Sequence, residues 1–119
     1  MKTIIAGGRD YRFTKEDTLC LDDMADYITE VVCGMARGAD TQGRLWAERM
    51  GIPVKEFPAN WNRFGRGAGM IRNREMAEYA DMVILFDGGR GTQNMFDVAT
   101  KQKLNVLDWR TNEMDTFLK

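Results

Sequence analysis

Three glycine-bearing stretches carry the chemistry of this sequence: Gly7-Gly8-Arg9-Asp10, Gly34-Met35-Ala36-Arg37-Gly38-Ala39-Asp40 and Gly88-Gly89-Arg90-Gly91-Thr92. Each directly follows a short apolar run (KTIIA, TEVVC and MVILF) of the kind that forms a strand buried on both faces. Glycine admits positive φ angles and lets a ligand come close to the backbone. A strand that feeds through glycines into a helix presents unpaired N–H groups and the positive dipole end together, which suits an anion. Thr92 is the expected N-cap of the last such helix. Thr92, Met95, Phe96 and Ala99 then follow the i, i+3, i+4, i+7 spacing of a sheet-facing stripe. One such turn alone serves equally well to reverse the chain. Three of them at strand ends favour a site.

Charged residues crowd the same stretches. Arg9, Arg37, Arg66, Arg72 and Arg90 offer planar forks for phosphate oxygens, at roughly 1.5–3 kcal/mol per charge-assisted hydrogen bond. At least two of the five are expected to be ordinary surface residues, Arg66 foremost. Asp10 and Asp40 suit ribose hydroxyls, or else serve as helix caps or partners of the arginines. Asn73 sits on the sheet-facing side of its helix, where it meets a ligand or a neighbouring loop carbonyl. Trp61 suits base stacking or a hydrophobic lid over the core. Trp46 and the many methionines are expected in the core.

The elements that position these groups alternate strand and helix. Lys2–Ala6, Thr29–Cys33, Pro53–Phe57, Met82–Phe86 and Asn105–Asp108 read as strands. Thr14 with Asp17 resembles a capping box ahead of a stripe through Leu21, Met24, Ala25 and Ile28. A second helix carries Gly43, Trp46, Ala47 and Met50 and ends at Gly51. A third begins near Ala68 with Asn73, Met76, Ala77 and Ala80 inward, after an irregular segment from Pro58 to Gly67. Arg110–Lys119 reads as a terminal turn or tail. Crossovers of this length require a parallel sheet with right-handed connections. The expected fold is therefore α/β: a three-layer sandwich on a mainly parallel five-stranded sheet. Its ligands bind beyond the carboxyl ends of the strands, where the strand order reverses.

Composition narrows the function. The 119 residues read as one domain, 1–119, with a core that needs no staples. A formal net charge of −1 argues against broad electrostatic capture of duplex nucleic acid or of an anionic membrane. No apolar run approaches the roughly 18 residues that span a bilayer, and Met1 leads straight into a strand, so a cytoplasmic protein is expected. Cys20 and Cys33 read as small buried hydrophobes rather than a disulfide or a reactive thiol. The sequence has no histidine, which removes Ser-His catalysis, histidine-ligated zinc and the commonest general base. No metal or cofactor is expected.

The motifs GGRD, GMARGAD, WAERMGIPVKEFPANW, AGMIRN and GGRGT occur in an order and spacing that resemble the SLOG superfamily. This is the Rossmann-like group of the DNA-processing protein Smf/DprA and the LOG cytokinin-activating enzymes. The likeness is greatest to its small stand-alone bacterial and phage branch, the YspA/YpsA-related proteins, and runs through about Asp108. It implies nucleotide or nucleotide-derived ligands at the glycine loops, through Gly7, Gly8, Arg9, Asp10, Arg37, Gly38, Asp40, Arg72, Asn73 and Gly88 to Thr92. It also makes a homodimer or larger assembly plausible, since helical faces in this superfamily commonly associate. Met35 departs from the branch, which often shows a second glycine there. In the LOG-like phosphoribohydrolases the motif runs GGxGTxxE, and its glutamate helps to cleave the N-glycosidic bond. Here that position is Met95, whereas Arg72 matches the arginine those enzymes carry in the preceding helix. Asp97 lies about 200° further round the helix and cannot substitute.

Three functions follow in order of expectation. The first is a protein that senses or sequesters a phosphorylated nucleoside, such as an ADP-ribose-like or cyclic signal. The second is a nucleotide N-glycosidase or phosphoribohydrolase using Asp10 or Asp40 in place of the missing glutamate. The third, single-stranded DNA binding as in Smf/DprA, is disfavoured by the near-neutral charge and the lack of an extended basic stripe.

Overall fold

The computed structural model describes residues 1–110; most of the expected C-terminal tail, from residue 111 onward, lies outside them. Five strands, β1 (Lys2–Ala6), β2 (Glu30–Cys33), β3 (Val54–Glu56), β4 (Met82–Leu85) and β5 (Asn105–Asp108), form one sheet in the order β3-β2-β1-β4-β5. Every pairing is parallel, as the long crossovers require. The order reverses between β1 and β4, so the loops leaving these two strands diverge and open a crevice at their carboxyl ends.

Five helices cover the sheet: α1 (Lys15–Met24), α2 (Ala39–Met50), a single turn α3 (Trp61–Phe64), α4 (Ala68–Tyr79) and α5 (Arg90–Lys101). On one face Met76, Ala77 and Ala80 with Met95 and Ala99 pack onto Ile4, Val32, Val83 and Leu85. On the other, Leu21, Trp46 and Ala47 pack onto Ile5, Val31, Ile84 and Phe86. The sheet is thus the middle of three layers. The two covered faces explain why β1 and β4 read as unbroken apolar runs. Gly43 lets α2 close onto β1, because a Cβ there would lie 2.8 Å from Ile5 Cγ2.

Local signals account for three helix ends. Thr14 and Asp17 complete the expected capping box, with Asp17 N–H donating to Thr14 Oγ1 at 3.1 Å and Thr14 N–H to Asp17 Oδ2 at 2.9 Å. Gly51 ends α2 at φ +72°, in the left-handed conformation. Four expectations need correction. Thr92 is not an N-cap: α5 begins at Arg90 with Gly89 as its N-cap, and Thr92 is buried in the first turn. Pro58–Gly67 is not wholly irregular, because Asn60 Oδ1 accepts from Arg63 N–H at 3.0 Å and starts α3, and a 3₁₀ turn over Gly65–Gly67 follows. Cys20 lies exposed on α1, and only Cys33 is buried. Met35, Met50 and Met70 are exposed rather than core: Met35 lies in the loop after β2, Met50 is the last residue of α2, and Met70 lies off the buried stripe of Ala68, Asn73, Met76 and Ala77 on α4.

Candidate functional site

Loop-to-loop hydrogen bonds build the crevice. Gly8 N–H donates to the Asp87 carbonyl at 2.8 Å and joins the turns that leave β1 and β4. The Gly8 carbonyl accepts from both Tyr11 N–H and Ala39 N–H, each at 3.2 Å, which draws the start of α2 against the first loop. Gln42 clamps the far side of that loop: Oε1 accepts from Phe13 N–H at 2.7 Å and Nε2 donates to the Tyr11 carbonyl at 2.5 Å. Two glycines make these contacts possible. Gly38 has φ +79°, and a Cβ on it would stand 2.3 Å from the Gly8 carbonyl oxygen. A Cβ on Gly88 would meet Thr92 Oγ1 at 2.1 Å and Gly8 N at 2.6 Å.

The main cavity, about 450 Å³, lies over the switch point. Gly7, Gly8 and Arg9 line it from the first loop, and Gly89, Arg90, Gly91 and Thr92 from the α5 N-terminus. Asp40, Arg72 and Asn73 line it from α2 and α4. Met76 and Met95 add apolar surface. Gly89, the N-cap, has no side chain with which to cap the helix, and the first turn of α5 holds no acidic residue. Its leading amide groups therefore have no partner within the helix and sit at the positive dipole end. Gly89 and Gly91 have nothing within 4 Å of where a Cβ would stand, so the backbone there meets open space.

Behind these amides lies a buried polar cluster. Asp40 is 7 % exposed, and desolvation pushes its carboxyl up to about 6, against the pull of nearby Arg72 and a backbone hydrogen bond from Ala36. Desolvation also lowers Arg72, against the pull of Asp40, so burial outweighs mutual attraction on both partners. A guanidinium nevertheless stays charged at neutral pH. Arg72 Nη1 donates to the Gly34 carbonyl, and Nε donates to Asn73 Oδ1 at 3.1 Å. Gly34 is small because a Cβ would stand 2.8 Å from Asp40 Oδ2 and 3.0 Å from Arg72 Nη1. Asn73 Nδ2 donates to the Gly91 carbonyl at 3.3 Å and to Asn94 Oδ1 at 2.9 Å. It thus meets the loop carbonyl anticipated from the sequence and ties α4 to the start of α5.

Not every residue singled out from the sequence reaches this cavity. Asp10 and Arg37 face each other at 3.7 Å with side chains 95 % and 74 % exposed, and they line a shallower groove of about 530 Å³ with Gly38. Gly88 packs between loops. Arg66, expected to be an ordinary surface residue, lines the main cavity although it is exposed. Trp61 is no lid on the core: it is 52 % exposed and lines both the main cavity and an adjoining lobe of about 470 Å³. Gly69 and Met70 also line the cavity and were missed. Gly69 continues the Asn73–Met76 stripe one turn back, at i, i+4, i+7, and that spacing would have found it. Among the described residues no group of three or more Cys, Asp or Glu side chains is placed to hold a metal ion, and no helix is long and apolar enough to cross a membrane.

A parallel α/β sheet with a cavity at its switch point defines the Rossmann-like class. The model of the YspA, cpYpsA-related SLOG family matches residues 1–64, and the chain belongs to that family. It is 32 % identical over 122 residues to the Gene 61 protein of Mycobacterium phage D29, spanning 91 % of this chain and 95 % of that protein. Its fold is similar to that of DNA processing protein A (DprA) from Streptococcus pneumoniae, with a TM-score of 0.72 over 96 % of this chain and 16 % identity. The chain spans 52 % of the length of the DprA structure, and at that identity the likeness is one of fold.

Proposed function

We propose that the chain binds a nucleotide or nucleotide-derived ligand, as a sensor or sequestering protein, and does not turn it over. The observation that carries this reading is the pairing, in one cavity, of the uncapped α5 N-terminus with Arg72 and Asp40. The helix end and the arginines supply a seat for phosphate, and the Asp40 carboxylate an acceptor for sugar hydroxyls. Family membership supports a nucleotide-related ligand. Against turnover stands Met95, buried in the cavity wall where the LOG-like motif has its glutamate. A thioether carries no proton, and loss of a general acid–base group typically removes about 10²–10⁴ in rate.

The hydrolase reading keeps one specific support. Asp40, unlike the exposed Asp10, lies in the cavity with its carboxyl raised toward neutrality, the condition of a general acid. Incubation with AMP, ADP-ribose, NAD and cyclic nucleotides, followed by chromatography for released base, separates the two. The binding reading expects each nucleotide to be recovered intact, with nucleotides co-purifying in the mass spectrum of the native protein. Base release that disappears in Asp40→Asn would establish the hydrolase instead.

A further inference from the structure

We propose that the lobe beside Trp61 is a nucleobase subsite that selects guanine over adenine; the inference rests on the nucleotide reading above. The lobe shares Arg9, Ala36, Trp61 and Arg72 with the main cavity. A ligand with its phosphate at Gly89–Thr92 and its sugar at Asp40 therefore has its base beside the exposed indole of Trp61. That ring offers a stacking face, and Pro58, Ala59 and Met35 complete an apolar surround.

Side-chain hydrogen-bonding capacity in the lobe runs one way. Its polar side chains are Arg9, Arg37, Arg72 and the Trp61 indole N–H, all of them donors, and Met35 adds only a weakly accepting thioether. Two of its carbonyls are already engaged: Gly34 accepts from Arg72 Nη1, and Ala36 accepts from Thr41 Oγ1 at 2.9 Å. Side chains that only donate favour a base edge that presents acceptors side by side. Guanine presents O6 and N7, which match the guanidinium fork in a bidentate way. Adenine places its N6 amino group in the O6 position, and a donor then faces a donor. Discrimination comes from that rejection as much as from the attractive pair.

The loop that carries the lobe is held in an unusual state. Met35 has φ +61° and is 50 % exposed, although it bears a side chain where glycine is the unstrained choice. Met35 N–H donates to Cys33 Sγ at 3.3 Å, which ties the strained turn inward. Backbone strain of this kind gathers at ligand-facing loops. The exposed Arg37–Asp10 pair at the lip leaves the Arg37 fork open to a competing acceptor.

The test is calorimetric titration of the full chain with GMP, IMP, AMP and ribose 5-phosphate at one ionic strength. GMP is expected to bind at least about tenfold tighter than AMP, the scale of one bidentate base contact. IMP, which keeps O6 and N7, should match GMP to within about threefold. Arg37→Ala should bring the GMP-to-AMP ratio below about three and leave ribose 5-phosphate, which has no base, as the control ligand within about twofold. AMP binding as tightly as GMP, or a preference that survives Arg37→Ala, overturns the subsite while the nucleotide reading stands. Failure of all four ligands to bind overturns the subsite, and failure of ADP-ribose, NAD and cyclic nucleotides as well overturns both.

Discussion

Gly38 and Gly89 each stand immediately before a helix at the carboxyl edge of the sheet, and neither end has a side-chain cap. They are glycines for different reasons. Gly38 has a positive φ and presses against the Gly8 carbonyl, which accepts from Ala39 N–H. Its helix, α2, carries an acidic residue, Asp40, in its first turn, so that positive end already has a negative group beside it. Gly89 has φ −101°, has open space where a Cβ would stand, and heads a helix whose first turn holds no acid. One glycine mouth is closed and internally balanced. The other is open, and on the binding reading α5 is the end that takes an external anion.

The largest expected effect comes from breaking the closed mouth. Gly38→Ala forces a side chain into the left-handed region and drives its Cβ to 2.3 Å from the Gly8 oxygen. Strain of about 1–3 kcal/mol and overpacking of about 1–3 kcal/mol add to a loss of roughly 2–6 kcal/mol. Urea denaturation followed by circular dichroism measures it. A loss below about 0.5 kcal/mol, the range of ordinary surface substitutions, would mean that the two loops are not packed against each other.

A middle-sized effect sharpens the electrostatic half of the comparison. Asp40 has a folded-state value of about 6 against 3.8 in the unfolded chain. Between these values the native state holds more protons than the unfolded state, so stability falls as pH rises through the window from about 4 to 6. Above pH 6 the ionised, desolvated carboxylate leaves the fold weaker by an amount on the order of 1–3 kcal/mol. Asp40→Asn removes the titration, and its stability curve should be flat over that window when corrected for the other carboxylates. Thermal unfolding at half-unit pH steps compares the two. Parallel curves for the two proteins would place the titration elsewhere.

These differences mark the limit of what the sequence discloses. The strands and long helices were legible because burial on one or two faces imposes periods of 2 and 3.6 that survive in the residue order. The location of the cavity was legible as well, since three glycine loops at strand ends in a parallel sheet must meet at one edge. What each glycine faces was not, because the partner atoms come from loops distant in sequence: Gly38 meets Gly8, and Gly88 meets Thr92 and Gly8. Asp10 and Asp40 look alike as residues, and only the path of α2 buries one and leaves the other at the rim. Trp61 escaped for another reason. A four-residue helix has no periodicity to read, so nothing in the sequence decided between a stacking face and a lid, and the structure leaves the indole exposed between two cavities.

The smallest expected effect on stability is also the one that bears most on function. Gly89→Val adds a branched side chain at an N-cap whose φ any residue tolerates, into space with no atom within 4 Å. No neighbouring atom opposes it, but a ψ of −140° lies outside the broad β region and valine is a poorer N-cap than glycine, so the unfolding free energy should fall by about 1 kcal/mol. On the binding reading the same space is where a phosphate approaches the amides of Gly91 and Thr92, and an isopropyl group there excludes it. Binding of a phosphorylated nucleoside, read by calorimetry, should fall below detection while the protein still unfolds cooperatively in urea. Gly91→Ala, one turn position further on and equally open, should weaken binding less because a single methyl covers less of the helix end. Unchanged affinity in Gly89→Val would move the anion away from α5. It would then remove the functional meaning of the contrast with Gly38 and leave only the structural one.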